Sequence, residues 1–160
     1  MGTGKTSVGK ILARRLNKTL YDVDHWIESR ENRSVREIFG KEGEAYFRRL
    51  EKEAIQAIVQ EKDAVITTGG GAVLDPENRK ALSENGWVVA LHASAETIHK
   101  RLKNSKNRPL LQKGDRLSEI KRLLEARKPF YVRADLSLNT DGKSAAQVAG
   151  IILKSLAGKP

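Results

Sequence analysis

The residues most able to do chemistry open the chain, in Met1-Gly2-Thr3-Gly4-Lys5-Thr6-Ser7. Gly4-Lys5-Thr6 matches the end of a G-x-x-x-x-G-K-[ST] loop, in which successive backbone N–H groups curl around phosphate oxygens. Glycine suits such a loop because a Cβ would block the approach of the anion and the φ angles required. In this reading Lys5 reaches the β and γ phosphates of a nucleotide and the Thr6 hydroxyl holds Mg²⁺. The helix that follows, expected from Ser7 to about Leu16, points its positive end at the same anion. Gly-Lys-Thr alone is common, and a glycine-rich turn capping a helix reads the same way.

The first glycine of that pattern, and the apolar strand that leads into such a loop, are not in the chain. That strand is central in sheets of this kind, and Ala64–Thr68 and Trp87–Leu91 are expected to flank it. The expectation is therefore that the 160 residues alone are unstable or inactive. About ten further upstream residues, a usual strand length with its turn, should restore them.

Asp22 and Asp24 close the stretch Leu20–Asp24, which reads as a short strand. Two positions apart, they would share one face at its carboxyl end, where open α/β sheets bind ligands. Beside a phosphate loop, two carboxylates suit water-mediated Mg²⁺ contacts and a general base. Asp24 would equally cap a helix beginning at His25. Arg48 lies off the apolar stripe Phe47, Leu50, Ala54, Ile58, with Glu51 three residues on as a helix partner. An exposed helix arginine is the commoner reading of such a residue. Gly69-Gly70-Gly71 follows the continuous apolar run Ala64–Thr68; such a run lets a ligand or another backbone come close. Residues 103–115 are basic, polar and aperiodic, and a loop of that length in a compact domain is usually functional, often a lid. Arg108, ahead of Pro109, is biased to an extended backbone that could aim it inward on closure. The bland alternative there is a disordered surface loop.

The elements that must position these residues alternate along the chain. A capping box, Ser34 to Glu37, opens a helix that should break between Gly40 and Gly43 before a longer one resumes. Asp75-Pro76 starts a helix that Gly86 ends. Trp87–Leu91 is a second buried strand, and Ser94 caps the helix bearing Ile98, Arg101 and Leu102. Leu117, Ile120 and Leu124 mark a helix expected to stop near Arg127, before Pro129. Leu136–Leu138 is a last strand, Asn139–Gly142 a turn, and Val148, Ile151, Ile152 and Leu156 face inward from a closing helix. Strands separated by helices imply a three-layer α/β/α sandwich on a parallel sheet, in a single domain spanning 1–160.

Composition narrows the function classes. Cysteine is absent, which excludes disulfides and thiolate metal sites. His25, His92 and His99 are scattered without ligand spacing. No stretch approaches a membrane span and the amino terminus has no apolar leader, so a cytoplasmic enzyme is expected. The net charge of +10 comes from basic residues interleaved with acids, as in Arg48-Arg49-Leu50-Glu51-Lys52-Glu53. That favours a solvated mixed surface and a small anionic substrate over nucleic acid.

Taken together, Gly-Thr-Gly-Lys-Thr (2–6), Asp-Val-Asp (22–24), Phe-Arg-Arg-Leu-Glu (47–51), Gly-Gly-Gly-Ala-Val (69–73), Arg-Pro-Leu-Leu (108–111) and Arg-Lys-Pro-Phe-Tyr (127–131) resemble the shikimate kinase family, in order and spacing along nearly the whole chain. The resemblance implies a P-loop fold like that of nucleoside monophosphate kinases, with a five-stranded parallel sheet. It implies ATP-dependent phosphorylation of the 3-hydroxyl of shikimate. It places Gly2, Thr3, Gly4, Lys5, Thr6 and Ser7 around ATP, Thr6 and, through water, Asp22 on Mg²⁺, and Arg101 against adenine. It makes Asp24 a ligand of the shikimate hydroxyls and the candidate base. Arg48 and Arg127 become the grip on the substrate carboxylate, Gly69, Gly70 and Gly71 the floor under its ring, and Arg108 the lid arginine at the phosphates. The helical segment 25–62 would be the shikimate side, and the molecule a monomer without nucleic-acid or membrane partners. The chain departs from the family at its start and at Leu138 and Asn139, before the Thr140 turn. Rival readings are a kinase of the same fold for gluconate or a nucleotide, and a non-catalytic nucleotide-binding module.

Overall fold

The structure is a computed structural model that describes residues 2–103, 115–131 and 134–158. Arg108 and nearly all of the expected lid lie outside them. The described elements run α1 (Lys5–Leu16), β1 (Thr19–Asp22), α2 (Val23–Glu31), α3 (Val35–Ile58), β2 (Ala64–Thr67), a 3₁₀ turn (Ala72–Leu74), α4 (Pro76–Asn85), β3 (Val89–His92), α5 (Ala95–Leu102), α6 (Arg116–Tyr131), β4 (Leu136–Asn139) and α7 (Ala145–Ala157).

The strands form two parallel pairs. β1 lies beside β2, with Thr19 opposite Ala64 and Asp22 opposite Thr67. β3 lies beside β4, with Val89 opposite Leu136 and His92 opposite Asn139. Among the described residues no ladder joins β2 to β3. Parallel strands are normally buried on both faces, yet Leu20, Val65, Ile66, Val89, Leu136 and Leu138 are only half-buried. The amino-terminal loop borders the carboxyl ends of β2 and β3. It shares one cavity with Thr68 and Gly69 after β2, and another with Leu91, His92 and Ala93 at the end of β3.

Among the described residues the apolar interior divides in three. One cluster packs Val23 and Ile27 of α2 against Ile38, Phe47, Ala54, Ile55 and Ile58 of α3. A second joins Ile98 and Leu102 of α5 to Ile120 and Leu123 of α6. The third sets Val8 of α1 and Leu91 of β3 on Val148, Ala149 and Ile152 of α7.

Local details follow the capping chemistry. Ser34 and Glu37 form the expected reciprocal box, and Ser144 with Gln147 forms another. Asp75 caps α4 with Pro76 at its first position, and Ser94 caps α5. Several boundaries differ from expectation: α1 starts at Lys5 rather than Ser7, β3 runs Val89–His92 rather than Trp87–Leu91, β4 takes in Asn139, and three further differences bear on the site. β1 stops at Asp22, and it is Asp22, not Asp24, that caps the next helix, its carboxylate accepting from the His25 N–H at 3.3 Å. α3 passes through Gly40 and kinks only at Gly43, whose φ of 81° and ψ of 177° suit a residue without a Cβ. α6 runs past Pro129 to Tyr131. A proline costs a helix most in its interior; here only the last turn lies beyond it. That turn is held from outside, by Phe130 stacked under Arg79, whose Cζ is 4.9 Å from the ring centroid, and by Tyr131 hydrogen-bonded to Gly70.

Candidate active site

Gly4 takes a left-handed φ of 92° as the residue that starts α1, a conformation glycine reaches without strain. No side chain caps that helix, so its first N–H groups, with Lys5, Thr6 and Ser7, line a cavity of about 430 Å³. The opposite wall is Asp22, Asp24, Thr68, Gly69 and Gly70; Arg101, Thr140, Lys143 and Ala145 close the far end. The cavity thus brings together the phosphate loop, both aspartates and the glycine run, which are separated by up to 68 residues in sequence.

Asp22 is the hinge between loop and sheet. Its Oδ2 accepts from the Thr6 hydroxyl at 2.9 Å and from the Thr67 hydroxyl at 2.8 Å, while Oδ1 caps α2. A hydroxyl and a carboxylate side by side, next to where phosphates would sit, are hard oxygen donors that suit Mg²⁺. Among the described residues no group of three or more His, Asp or Glu could cage a metal. Because β1 ends early, Asp24 stands in the first turn of α2 rather than at the strand end. It still lines the cavity.

Around Gly69 the packing is tight on one side. A Cβ there would come 2.9 Å from Glu51 Oε1 and 3.3 Å from Asp24 Oδ1, and one on Gly71 would overlap the Arg48 guanidinium. A Cβ at 69 or 71 would therefore have to displace the Glu51 carboxylate or the Arg48 guanidinium. Arg48 Nη1 pairs with Glu51 Oε2 at 2.7 Å, and its Nη2 with Glu44 Oε1 at 2.8 Å. Burial works against the Arg48 charge, but Glu51 and Glu44 outweigh it and its pKa ends above the ordinary arginine value. Glu51 is fully buried. Burial pushes its carboxyl above the usual range, and Asp24 adds to this against the opposing pull of Arg48 and Arg127.

Arg127, on α6, is 5% exposed. Its Nε has no hydrogen-bond partner, and no carboxylate among the described residues lies within ion-pair distance of it. Burial, with Arg48 adding to it, lowers its pKa despite the opposing influence of Tyr131, Glu44 and Glu51. It lines a second cavity of about 200 Å³ with Thr3, His92 and Tyr131. A buried guanidinium with no anion beside it is costly, because desolvation is uncompensated. The site thus has a place for one acidic ligand that no carboxylate of the described residues fills.

On the nucleotide side Arg101 is fixed by its hydrogen bonds. Its Nη1 donates to the Gly2 carbonyl at 3.3 Å and to the Thr140 hydroxyl at 3.0 Å, and Nη2 to the Thr140 carbonyl at 2.9 Å. Thr140 in turn donates through its hydroxyl to the His92 carbonyl at 2.9 Å. Asp141 holds the neighbouring turn by accepting from the Ser94 N–H at 3.0 Å. Despite the departures at Leu138 and Asn139, the Thr140 turn is therefore closely held.

Glu51 pairs with Arg48 as its helix spacing suggested, but its place on the buried face of α3 among Phe47, Ala54, Ile55 and Ile58 was not read from the sequence. Thr67, Thr140 and Tyr131 escaped the sequence reading of the site, because their contributions depend on contacts between distant segments.

Comparison with known proteins places this geometry. The family model for shikimate kinase matches residues 1–157. A shikimate kinase of Moorella thermoacetica is 47% identical, with 98% of this chain and 90% of that one covered. One from Persephonella marina is 43% identical, over 96% and 92%. Among solved structures, shikimate kinase from Acinetobacter baumannii in complex with shikimate superposes with a TM-score of 0.95 at 37% identity, covering 98% of this chain and 88% of that one. That from Aquifex aeolicus gives 0.85 at 40% identity, over 99% and 92%.

Proposed function

The chain belongs to the shikimate kinase family, and from that premise we propose how its own residues perform the family's reaction. The enzyme phosphorylates shikimate at the expense of ATP, giving shikimate 3-phosphate and ADP in the route to the aromatic amino acids. The observation that carries the assignment of the acid-binding site is Arg127: a guanidinium 5% exposed, without a carboxylate beside it. The carboxylate of shikimate supplies that anion, and Arg127 with Arg48 grips it by charge-assisted hydrogen bonds. The backbone of Gly69, Gly70 and Gly71 lies against the ring.

Phosphoryl transfer asks the protein mainly to align reactants and neutralise charge. Gly2, Thr3, Gly4 and Ser7 cradle the ATP phosphates, Lys5 meets the β and γ phosphates, and Arg101 packs on adenine. Asp24 accepts from the attacking hydroxyl, orients it and receives its proton as the new O–P bond forms and the β–γ bridging bond breaks. Thr6 directly and Asp22 through water would hold Mg²⁺, which when bound neutralises phosphate charge. Arg108 adds a further positive charge from the lid segment, 103–115, whose closure excludes the water that would compete as acceptor. We read residues 1–160 as one kinase domain, monomeric and cytoplasmic, with 25–62 as its acid-binding side. No helix among the described residues is long and apolar enough to cross a membrane.

The test is ADP release from the purified protein with ATP, Mg²⁺ and either shikimate or gluconate. Release that depends on shikimate is expected. Equal turnover of gluconate would assign the carboxylate grip to a different acid.

A further inference from the structure

The glycine run has no side chains with which to anchor itself, yet it must hold a fixed distance from Arg127 if ring and carboxylate are to be bound together. On one side Gly69 and Gly71 lie against Glu51, Asp24 and Arg48, whose side-chain ends occupy the space a Cβ would need. On the other side the middle residue is tied to α6, where the Tyr131 hydroxyl donates to the Gly70 carbonyl at 3.1 Å. Tyr131 lies four residues after Arg127, one helical turn along the same face. The tyrosine ring is itself backed by His92 at the end of β3, edge-on with centroids 5.4 Å apart and planes at 84°. Burial raises the Tyr131 pKa above that of an ordinary tyrosine, with Arg127 opposing, so the hydroxyl keeps its proton and remains a donor.

We propose that Tyr131 is a positioning residue for the acid substrate: by holding the Gly70 carbonyl it sets the gap between the glycine run and Arg127, so that ring and carboxylate meet their partners at once. This rests on the acid-binding site proposed above. Tyr131 touches no reacting atom in this scheme. Its effect falls on shikimate and not on ATP, because the loop around the phosphates is held separately, by Arg101 on the Gly2 carbonyl.

The test is Tyr131→Phe, which keeps the ring and its contact with His92 and removes only the donor. Loss of one partly buried hydrogen bond is expected to raise KM for shikimate by about 5- to 10-fold, with KM for ATP within twofold of wild type. The Gly70 and Gly71 amides of the unliganded protein should exchange with solvent faster in the variant. A shikimate KM within twofold of wild type, or shikimate and ATP KM values rising together with a fall in Tm, would overturn the proposal. If the unaltered enzyme fails to turn over shikimate, the acid-binding site is misassigned. The tether then stands or falls on the exchange rates alone, and unchanged rates sink it.

Discussion

At the scale of single residues, Arg48 and Arg127 illustrate two ways of keeping a buried cation. Arg48 has its anions within the chain; Arg127 has no carboxylate at ion-pair distance among the described residues. Replacing either by alanine removes a charged partner of the substrate, and a loss of about 2–5 kcal/mol in shikimate binding is expected. Titration should show ATP affinity nearly unchanged; unaltered shikimate affinity would remove these residues from the site. Arg127→Ala should also leave the fold intact, since it relieves an uncompensated burial, whereas Arg48→Ala leaves Glu51 buried without its cation and should lower Tm. Asp24→Asn keeps the size of the side chain but not the anionic acceptor. Turnover should vanish while ATP still binds, and a variant with near wild-type turnover would refute its role. The sequence disclosed which residue types gather here, through the glycines, the two aspartates and the arginines. It could not disclose that Asp22 rather than Asp24 caps α2, because both spacings suit a cap and only the point where β1 stops decides between them.

At the scale of elements, the seat of α1 on β2 leaves no slack. A Cβ on Gly9 would overlap Thr67 Cγ2 and approach Leu20 Cδ1 to 3.2 Å. Thr67 cannot retreat freely, because its hydroxyl holds Asp22. Gly9→Ala should therefore destabilise by about 1–3 kcal/mol, as overpacking does, and loosen Asp22 as well. Equal Tm values for variant and parent would contradict this. The turn after β4 gives a pH-dependent counterpart. The Ser94 N–H holds the Asp141 carboxyl below its unfolded value of 3.8. A depressed pKa means that this contribution is present above the unfolded value and fades as pH falls through the folded one. Asp141→Asn should thus be less stable than the parent near neutrality, with the gap closing below about pH 4 in denaturant titrations. Caps and breaks at this scale were legible where a side chain within three residues decides them, as at Ser34, Asp75 and Ser94. They were not legible at Pro129, where the last turn is held by Arg79 and Gly70, about fifty to sixty residues away in sequence.

At the scale of the molecule, the alternation of strands and helices was readable because apolar runs and caps are local. The pairing of the strands was not, because it depends on which edges meet. Among the described residues no ladder joins the pair β1–β2 to the pair β3–β4, and most of the apolar residues of these strands are half-buried.

The three-way division of the apolar interior has a consequence for how the molecule comes apart. Cooperative unfolding requires that the loss of one part remove the support of the rest. Here the cluster of α2 and α3 shares few neighbours with that of α1, β3 and α7, so parts of the molecule can open at different free energies. Amides of α3 and of α7 should then exchange in separate groups, and the calorimetric enthalpy should exceed the van't Hoff value. A ligand held by Lys5 on α1 and by Arg48 on α3 would bridge the two groups, and saturation with both substrates should merge them into a single transition.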